Sequence, residues 1–191
     1  MSATEPIRNR QSVLAMESYY LARGELRNHA LVVMGVYTAL RISDLLRLRW
    51  DDVYDFEQRR VLESICLSES KTGKTKNVAL HKKVRGALSL LAARKTPPLA
   101  GAAVFASRRA GRAISRVQAY RIVRAASDAL RIGRVSCHSL RKTFGYHAWK
   151  SGVSPAVIME IYNHSDFDVT RRYLGVTRDD TDAVYLDFKI K

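Results

Sequence analysis

The stretch "CHSLRKTFGYHAWKSG", residues 137–152, sets a histidine and an arginine three positions apart at the start of a segment with helical periodicity. If the helix begins at or just before Ser139, His138 and Arg141 share one face, so that an imidazole and a guanidinium converge on one anion. Arginine suits this task because its rigid fork matches two phosphate oxygens and keeps its charge. His-x-x-Arg alone is weak evidence, since basic helices often contain it.

Helical periodicity extends on both sides of this stretch. In "RISDLLRLRW", residues 41–50, Ser43 and Asp44 are the expected capping residues of a short helix, which puts Arg41 at its entrance. The full set of predicted helices covers 11–23, 26–39, the short segment just past Arg41, 82–94, 115–130, 139–150, 154–162 and 167–174.

Residues 60–81 break the helical pattern. Here "RVLESICLSES" and "TKNVALH" alternate as strands do and flank "KTGK", in which Gly73 suits a tight turn. Lys71 and Lys74 lie in this turn, and from the turn alone they are interpreted as solvated charges. The sequence therefore predicts an α+β fold, mainly α-helical with a small antiparallel β-hairpin.

The chain is strongly basic, with 33 Lys and Arg against 18 Asp and Glu and a formal net charge of +15 over 191 residues. This excess predicts a polyanionic partner, with nucleic acid ahead of a membrane surface. No apolar run is long enough to span a bilayer, and "MSATEPIRNR" lacks the apolar centre of a signal peptide, so we expect a soluble intracellular protein with no membrane partner.

Positive charge is concentrated between Arg108 and Lys142, where ten Arg or Lys accompany one acid, Asp128. Apolar residues at helical spacing interrupt this stretch, which indicates packed helices whose outer faces contact phosphates. A solvated basic face is the alternative.

No metal or other cofactor is expected. Cys66 and Cys137 stand far apart and form no Cys-x-x-Cys pair, so we expect both to be reduced and buried. The five histidines show no ligand spacing with acidic or sulfur partners.

A second polar stretch, "IMEIYNHSDFDVTRRYLG" at residues 158–175, places His164 nine residues before Tyr173. A tyrosine hydroxyl, with a pKa of about 10, is a weak nucleophile near neutrality and needs cationic surroundings. Its attack on a phosphodiester would conserve the bond energy in a phosphotyrosine link, without ATP. The commoner interpretation of an isolated tyrosine is that it packs, here against Leu174, as an ordinary amphipathic residue.

The conjunction of these residues resembles the tyrosine recombinase (phage integrase) family, whose hallmark is an arginine, a hairpin lysine, His-x-x-Arg, a histidine or tryptophan, and a tyrosine. The surroundings are similar as well, in "TALRISDLLRLRWDDV", "SKTGKTKNVAL", "CHSLRKTFGYHAWKSG" and "IYNHSDFDVTRRYLG". The resemblance covers about residues 12–175 and implies the catalytic-domain fold of that family. The matching residues are Arg41, Lys71, His138, Arg141, His164 and Tyr173.

The resemblance implies a site-specific recombinase or integrase that breaks and rejoins DNA through a 3′-phosphotyrosyl intermediate, without metal or ATP. It implies that Arg41 and Arg141 clamp the scissile phosphate and stabilise the charge of the transition state. Lys71 is implied as the general acid for the leaving 5′ hydroxyl.

The same resemblance gives the other roles: Tyr173 attacks, His138 assists proton transfer from it, and His164 hydrogen-bonds the phosphate. Two rival functions stay open. One is DNA relaxation like that of a type IB topoisomerase, a family that typically has lysine in place of His138. The other is a non-catalytic DNA-binding regulator derived from a recombinase, although all six expected positions are filled.

Two features depart from the family pattern. Asn163 replaces the usual glycine before the second histidine, and asparagine tolerates left-handed backbone better than most residues. Typical members also carry a separate N-terminal core-binding domain, which we expect to be absent, leaving a single catalytic domain at 1–175 and a tail at 176–191. Whether the chain is a natural minimal recombinase or a fragment stays open.

The implied partners are double-stranded DNA and further copies of the chain. In the family the tail docks on a neighbouring subunit, which implies a homo-tetramer on DNA; the alternative is a tail folded back on its own core. Without a second domain to encircle the duplex, an accessory DNA-binding protein or a partner recombinase gains importance. The expected location is the cytoplasm, in association with the nucleoid.

Overall fold

The structure is a computed structural model that describes residues 4–69, 73–94, 98–107 and 112–174, together with 182, 185 and 186. Within these residues the chain is mainly helical with short antiparallel strands, so the predicted α+β fold is confirmed. In chain order the elements are α1 (Arg10–Leu21), α2 (Leu26–Tyr37), α3 (Ile42–Arg47), a 3-10 turn (Trp50–Asp52), β1 (Tyr54–Asp55), β2 (Arg60–Val61), β3 (Ser64–Ser68), β4 (Thr75–Ala79), α4 (Lys82–Ala92), α5 (Arg116–Ala129), α6 (Cys137–Lys150), α7 (Pro155–Tyr162) and α8 (Phe167–Leu174).

Each predicted helix is present, and three of them begin after serine caps that were not predicted. Ser115, Ser136 and Ser154 are the N-caps of α5, α6 and α7, and the side chain of each accepts a hydrogen bond from the first turn of its helix. The cap at Ser136 starts α6 at Cys137, two residues earlier than the predicted start at 139.

The capping prediction for α3 is wrong. Arg41 is the N-cap residue, with extended backbone and no side-chain capping bond, and Ser43 and Asp44 lie inside the first turn. Asp44 still suits that place, since a carboxylate near a helix N-terminus faces the positive end of the helix dipole. The prediction that Arg41 stands at the helix entrance is confirmed.

The hairpin is also confirmed, in the register Ser64↔Ala79 to Ser68↔Thr75. Gly73 has φ of 67°, a left-handed conformation that glycine adopts without strain. A second antiparallel pair, β1 with β2, was not predicted, because two residues per strand are too few to show alternation.

Helix α2 lies at the centre of the core. It is buried from Asn28 to Val36 on every face and packs against α1, α4 and α6. A helix that is apolar all round is typical of such a position. Gly35 lets α6 approach closely, since a Cβ there would lie 2.8 Å from Leu140 Cδ1. This contact fixes α6, which carries the His-x-x-Arg motif.

A second apolar cluster joins α6, α7 and α8 and includes Ile158, Tyr162 and Leu174. Tyr162 is fully buried, and its hydroxyl donates to Arg141 O at 2.6 Å and accepts from Gly145 N at 2.8 Å. This hydroxyl therefore ties α7 to the middle of α6.

Among the described helices, none combines the length and the apolar character needed to cross a membrane. The expectation that both cysteines are buried is half wrong: Cys66 is exposed on β3 and Cys137 is partly buried. Cys66 pairs with Asn77 across the hairpin, on the face opposite the buried Ile65 and Val78.

We expect Gly145→Ala to lower the free energy of unfolding by about 1–3 kcal/mol, as overpacking of a buried contact does. The added Cβ would lie 2.5 Å from the Tyr162 hydroxyl oxygen and 2.8 Å from its ring, and Tyr162 has no space to retreat. Urea unfolding followed by circular dichroism measures the change.

The matched control is Gly86→Ala in α4, where a Cβ meets nothing within 4 Å. This variant should gain about 0.5–1 kcal/mol, because alanine is the better helix former. A Gly145→Ala protein as stable as Gly86→Ala would contradict the tight junction of α6 with α7.

Candidate active site

Four segments converge at one end of α6: the entrance of α3, the first turns of α6 itself, the α7–α8 corner and the base of the β3–β4 hairpin. They bring together five of the six predicted site residues. The five are Arg41, His138, Arg141, His164 and Tyr173, and their contacts with each other or with shared neighbours are given below. Lys71, the sixth, lies outside the described residues.

Arg141 is the buried centre of the site, with 2% of its surface exposed. Its Nη1 donates to Ala39 O and its Nη2 donates to Tyr162 O at 3.2 Å, so it joins the segment before α3 to the end of α7. Burial, and next the charge of Arg41, lower the pKa of Arg141, while a hydrogen bond with Tyr173 acts in the opposite direction. An arginine keeps its charge at neutral pH even so.

Tyr173 lies at the meeting point of the predicted site residues and is half-buried. The Arg141 guanidinium carbon is 5.9 Å from its ring centroid. His138 and His164 approach its ring edge-on at centroid distances of 5.0 and 4.8 Å, and Lys142 Nζ is 5.5 Å from the centroid. The tyrosine ring therefore lies among cationic and imidazole side chains, and its packing near Leu174 does not remove it from them.

His138 lies in the first turn of α6, on the same face as Arg141 and partly open to solvent. Desolvation lowers the pKa of His138 to about 4, with further lowering by the charges of Lys142, Arg141 and Arg41. At neutral pH this imidazole is uncharged and able to accept a proton.

His164 follows α7 and is oriented by two contacts. Its Nδ1 is 3.0 Å from Thr170 Oγ1, and its ring stacks on Tyr162 at a centroid distance of 5.1 Å. Asn163, the C-cap of α7, has φ 54° and ψ 44°. Asparagine thus adopts the left-handed conformation for which the family uses glycine, and the turn into His164 is retained.

Arg41 is held by a carboxylate. Its Nη1 lies 2.9 Å from Oε1 of Glu69, whose side chain is fully buried, and Glu69 Oε2 accepts from Asn163 Nδ2 at 3.0 Å. Lys74 Nζ also lies 3.4 Å from Asn163 Oδ1, so the hairpin contacts the α7–α8 corner. Arg41 is close enough to Arg141 and His138 for its charge to lower the pKa of both.

Three residues that the sequence did not single out also line the site: Glu69, Lys76 and Lys142. Lys76 Nζ donates to Ile161 O, and burial, with the charge of Arg141 second, lowers the pKa of Lys76 to about 8. Strand alternation could have found Lys76, because it shares a face with the buried Val78. Nothing in the local sequence marks Glu69 or Lys142 as buried.

The arrangement forms a positively charged anion site beside a tyrosine. Two arginines and two lysines surround it, and backbone carbonyls, Glu69 and aromatic rings partly offset their mutual repulsion. Guanidinium groups bind phosphate oxygens through charge-assisted hydrogen bonds that are often bidentate. Among the described residues no group of three His, Cys, Asp or Glu could hold a metal ion.

The basic stretch from 108 to 142 divides into two parts. Arg112, Arg116, Arg121, Arg131 and Arg134 are exposed, whereas Arg141 and Lys142 are buried in the site. The exposed arginines surround α5 and the loops at its ends, which is suited to a long anionic ligand.

Comparison with known proteins identifies the family. The model of the phage integrase family matches residues 9–179. A Bacillus subtilis (strain 168) protein named "Probable integrase/recombinase YoeC" is 32% identical over 188 residues, which cover 98% of each chain. "Tyrosine recombinase XerD" of Mycobacterium tuberculosis (strain ATCC 25618 / H37Rv) is 32% identical over 158 residues, covering 80% of this chain and 49% of that protein.

Solved structures share the fold. XerA recombinase has a TM-score of 0.75 at 20% identity, over 99% of this chain and 67% of that one. XerH site-specific recombinase bound to palindromic difH substrate has a TM-score of 0.75 at 18% identity, over 98% of this chain and 55% of that one. With a family match over residues 9–179, the chain belongs to the phage integrase family, the tyrosine recombinases that cleave and rejoin DNA.

Proposed function

We propose that the protein is a site-specific recombinase that cleaves and rejoins double-stranded DNA with Tyr173 as nucleophile. The observation that carries the proposal is the position of Tyr173, in contact with Arg141 and edge-on to two histidines. Packing alone does not explain why an arginine and two histidines surround the tyrosine ring, so we assign a chemical role to Tyr173.

In the cleavage step the Tyr173 oxygen attacks the scissile phosphorus and the bond from phosphorus to the 5′ oxygen breaks. The tyrosine proton passes to neutral His138, and Lys71 supplies a proton to the departing 5′ oxygen. The products are a 3′-phosphotyrosyl link and a free 5′ hydroxyl. Attack of a 5′ hydroxyl from the partner duplex on that link reverses the step and reseals the strand.

Arg41 and Arg141 would bind the non-bridging oxygens, with His164 as a further donor. The transition state carries more negative charge than the ground state, so fixed guanidinium groups bind it more tightly and lower the barrier. Arg141 is held for this role by its contacts with the carbonyl oxygens of Ala39 and Tyr162, and its Nε is buried without a hydrogen-bond partner among the described residues.

The wider assembly is part of the same proposal. The exposed arginines around α5 would position the duplex without reading its sequence. The tail at 176–191 would dock on a neighbouring subunit and build a homo-tetramer on DNA, aided by an accessory protein or a partner recombinase. Of that tail only Asp182, Tyr185 and Leu186 are described. The protein would act in the cytoplasm, on nucleoid DNA.

Tyr173→Phe should abolish formation of a covalent protein–DNA adduct, because the attacking oxygen is lost. The measurement uses nicked duplexes from the flanks of the chain's own gene, which trap the adduct for denaturing gels. Tyr120→Phe, at an exposed tyrosine of α5, serves as a control that retains Tyr173. An adduct in Tyr173→Phe would refute the nucleophile, and adducts at random positions would favour a topoisomerase.

Arg141→Ala should reduce the single-turnover cleavage rate by at least about 100-fold, the scale for loss of one donor to transition-state charge. DNA affinity should change only a few-fold, because the exposed arginines supply most phosphate contacts. Arg121→Ala, on the exposed face of α5, is the matched control: it should weaken binding in a salt-dependent way and leave the saturated rate unchanged. Equal cleavage by Arg141→Ala and wild type would contradict the clamp.

The low pKa of His138 predicts a pH-dependent stability. The unfolded chain binds a proton at this histidine near pH 6.5, and the native state only near pH 4, so the native state loses stability as the pH falls through that interval. His138→Gln should therefore lose less unfolding free energy than wild type between pH 7 and pH 5. Tyr173→Phe, which retains the histidine, should follow wild type; parallel losses in all three proteins would contradict the neutral imidazole.

A further inference from the structure

Glu69 is a buried carboxylate at the edge of an anion-binding site. Only 1% of the residue is exposed, and its carboxylate contacts Arg41 Nη1 at 2.9 Å and Asn163 Nδ2 at 3.0 Å. A negative charge beside a phosphate site opposes phosphate binding, and burial of a carboxylate costs free energy unless it is paired. A role in positioning the site would compensate for the weaker phosphate binding and for the free-energy cost of burying the carboxylate.

Glu69 also closes the base of the β3–β4 hairpin. Its backbone N donates to Lys74 O at 3.0 Å, and its carbonyl accepts from Gly73 N at 2.9 Å. Lys71, the expected general acid, follows two residues later in the chain. The position of Glu69 is therefore coupled to the hairpin turn through the backbone and to Arg41 through the side chain.

Asn163 completes the connection. Its left-handed backbone ends α7, and its amide reaches Glu69 Oε2 and Lys74 Nζ on the hairpin. The next residue in the chain is His164. Glycine here would keep the backbone turn but provide no link to the hairpin, so the amide is an addition specific to asparagine.

We propose that Glu69 and Asn163 act together as positioning residues, a bridge that sets Arg41, the hairpin and His164 at fixed separations for the chemical step. The carboxylate lies 2.9 Å from Nη1 of Arg41 and so restricts the orientation of the guanidinium. The bridge joins three segments that are far apart in sequence. This inference rests on the proposed recombinase function.

The test measures single-turnover cleavage of nicked duplex against protein concentration, which separates the maximal rate constant from half-saturation. Glu69→Gln keeps the size of the side chain and removes its charge, and Asn163→Gly keeps the left-handed turn and removes the amide. Each variant should lower the maximal rate constant about tenfold, because a small misplacement of reacting groups slows the chemical step. The protein concentration at half-saturation should be unchanged or lower. The double variant should match the worse single variant, since the two residues act as a unit.

Glu63→Gln is the matched control, because Glu63 lies on the same hairpin arm with its side chain 76% exposed and only a 3.4 Å contact to Arg85. It should cleave as wild type does. A second readout needs no DNA: amide hydrogen exchange in β3 and β4 should quicken in Glu69→Gln and Asn163→Gly and not in Glu63→Gln.

The outcomes separate the two proposals. Absence of an adduct with wild-type protein would overturn the recombinase function and this inference with it. If the wild type is active, three results would overturn the bridge alone. The first is an unchanged cleavage rate in Glu69→Gln and Asn163→Gly. The second is a double variant in which the two losses multiply, and the third is weaker DNA binding at an unchanged maximal rate. Unaltered exchange in β3 and β4 would overturn it as well.

Discussion

The structure depends on one buried interaction above all, the contacts of the Arg141 guanidinium. It reaches carbonyl oxygens that belong to the segment before α3 and to the last residue of α7, and the aromatic rings of Tyr162 and Tyr173 lie beside it. Burial of a charge costs free energy unless the charge is paired, so the buried guanidinium requires these carbonyl contacts. The two segments that carry the carbonyls are thereby fixed relative to α6. The guanidinium that we propose as a phosphate ligand is thereby also the group that determines where the α7–α8 corner, which leads to Tyr173, lies.

Concentration of positive charge is the main electrostatic cost of such a site. Arg41, Arg141, Lys76 and Lys142 lie within one small region. Burial, and after it the charge of neighbouring cations, lowers the pKa values of Lys76 and His138. The protein offsets part of that cost with Glu69, with the Ile161 carbonyl and with aromatic faces. The remainder is relieved when an anion binds, which gives DNA a free-energy advantage at this point over any neutral ligand.

The sequence predicted the fold well where local signals agree. Helical spacing predicted the helices and the Gly73 turn predicted the hairpin, and both are present. Of the site, helical spacing alone placed His138 and Arg141 on one face, and the resemblance to the family indicated the other residues, Arg41, Lys71, His164 and Tyr173. Glu69 and Lys142 could not be predicted, because burial of a charge depends on partners from distant segments, and local sequence carries no record of them. The prediction that Ser43 caps α3 was wrong for a related reason. A serine inside the first turn of a helix cannot be distinguished from a serine at the N-cap by local sequence.

The position of Tyr173 also bears on which chain provides the attacking tyrosine at each site. Its helix α8 is anchored by Leu174, which is 1% exposed, and by Thr170, which is fully buried and bonded to His164. The tyrosine therefore contacts Arg141 and both histidines of its own chain. In the recombinase that we propose, each protomer would then attack with the tyrosine of its own chain. A shift of the α7–α8 corner relative to α6 would slow that attack, because the attack requires in-line alignment as well as proximity.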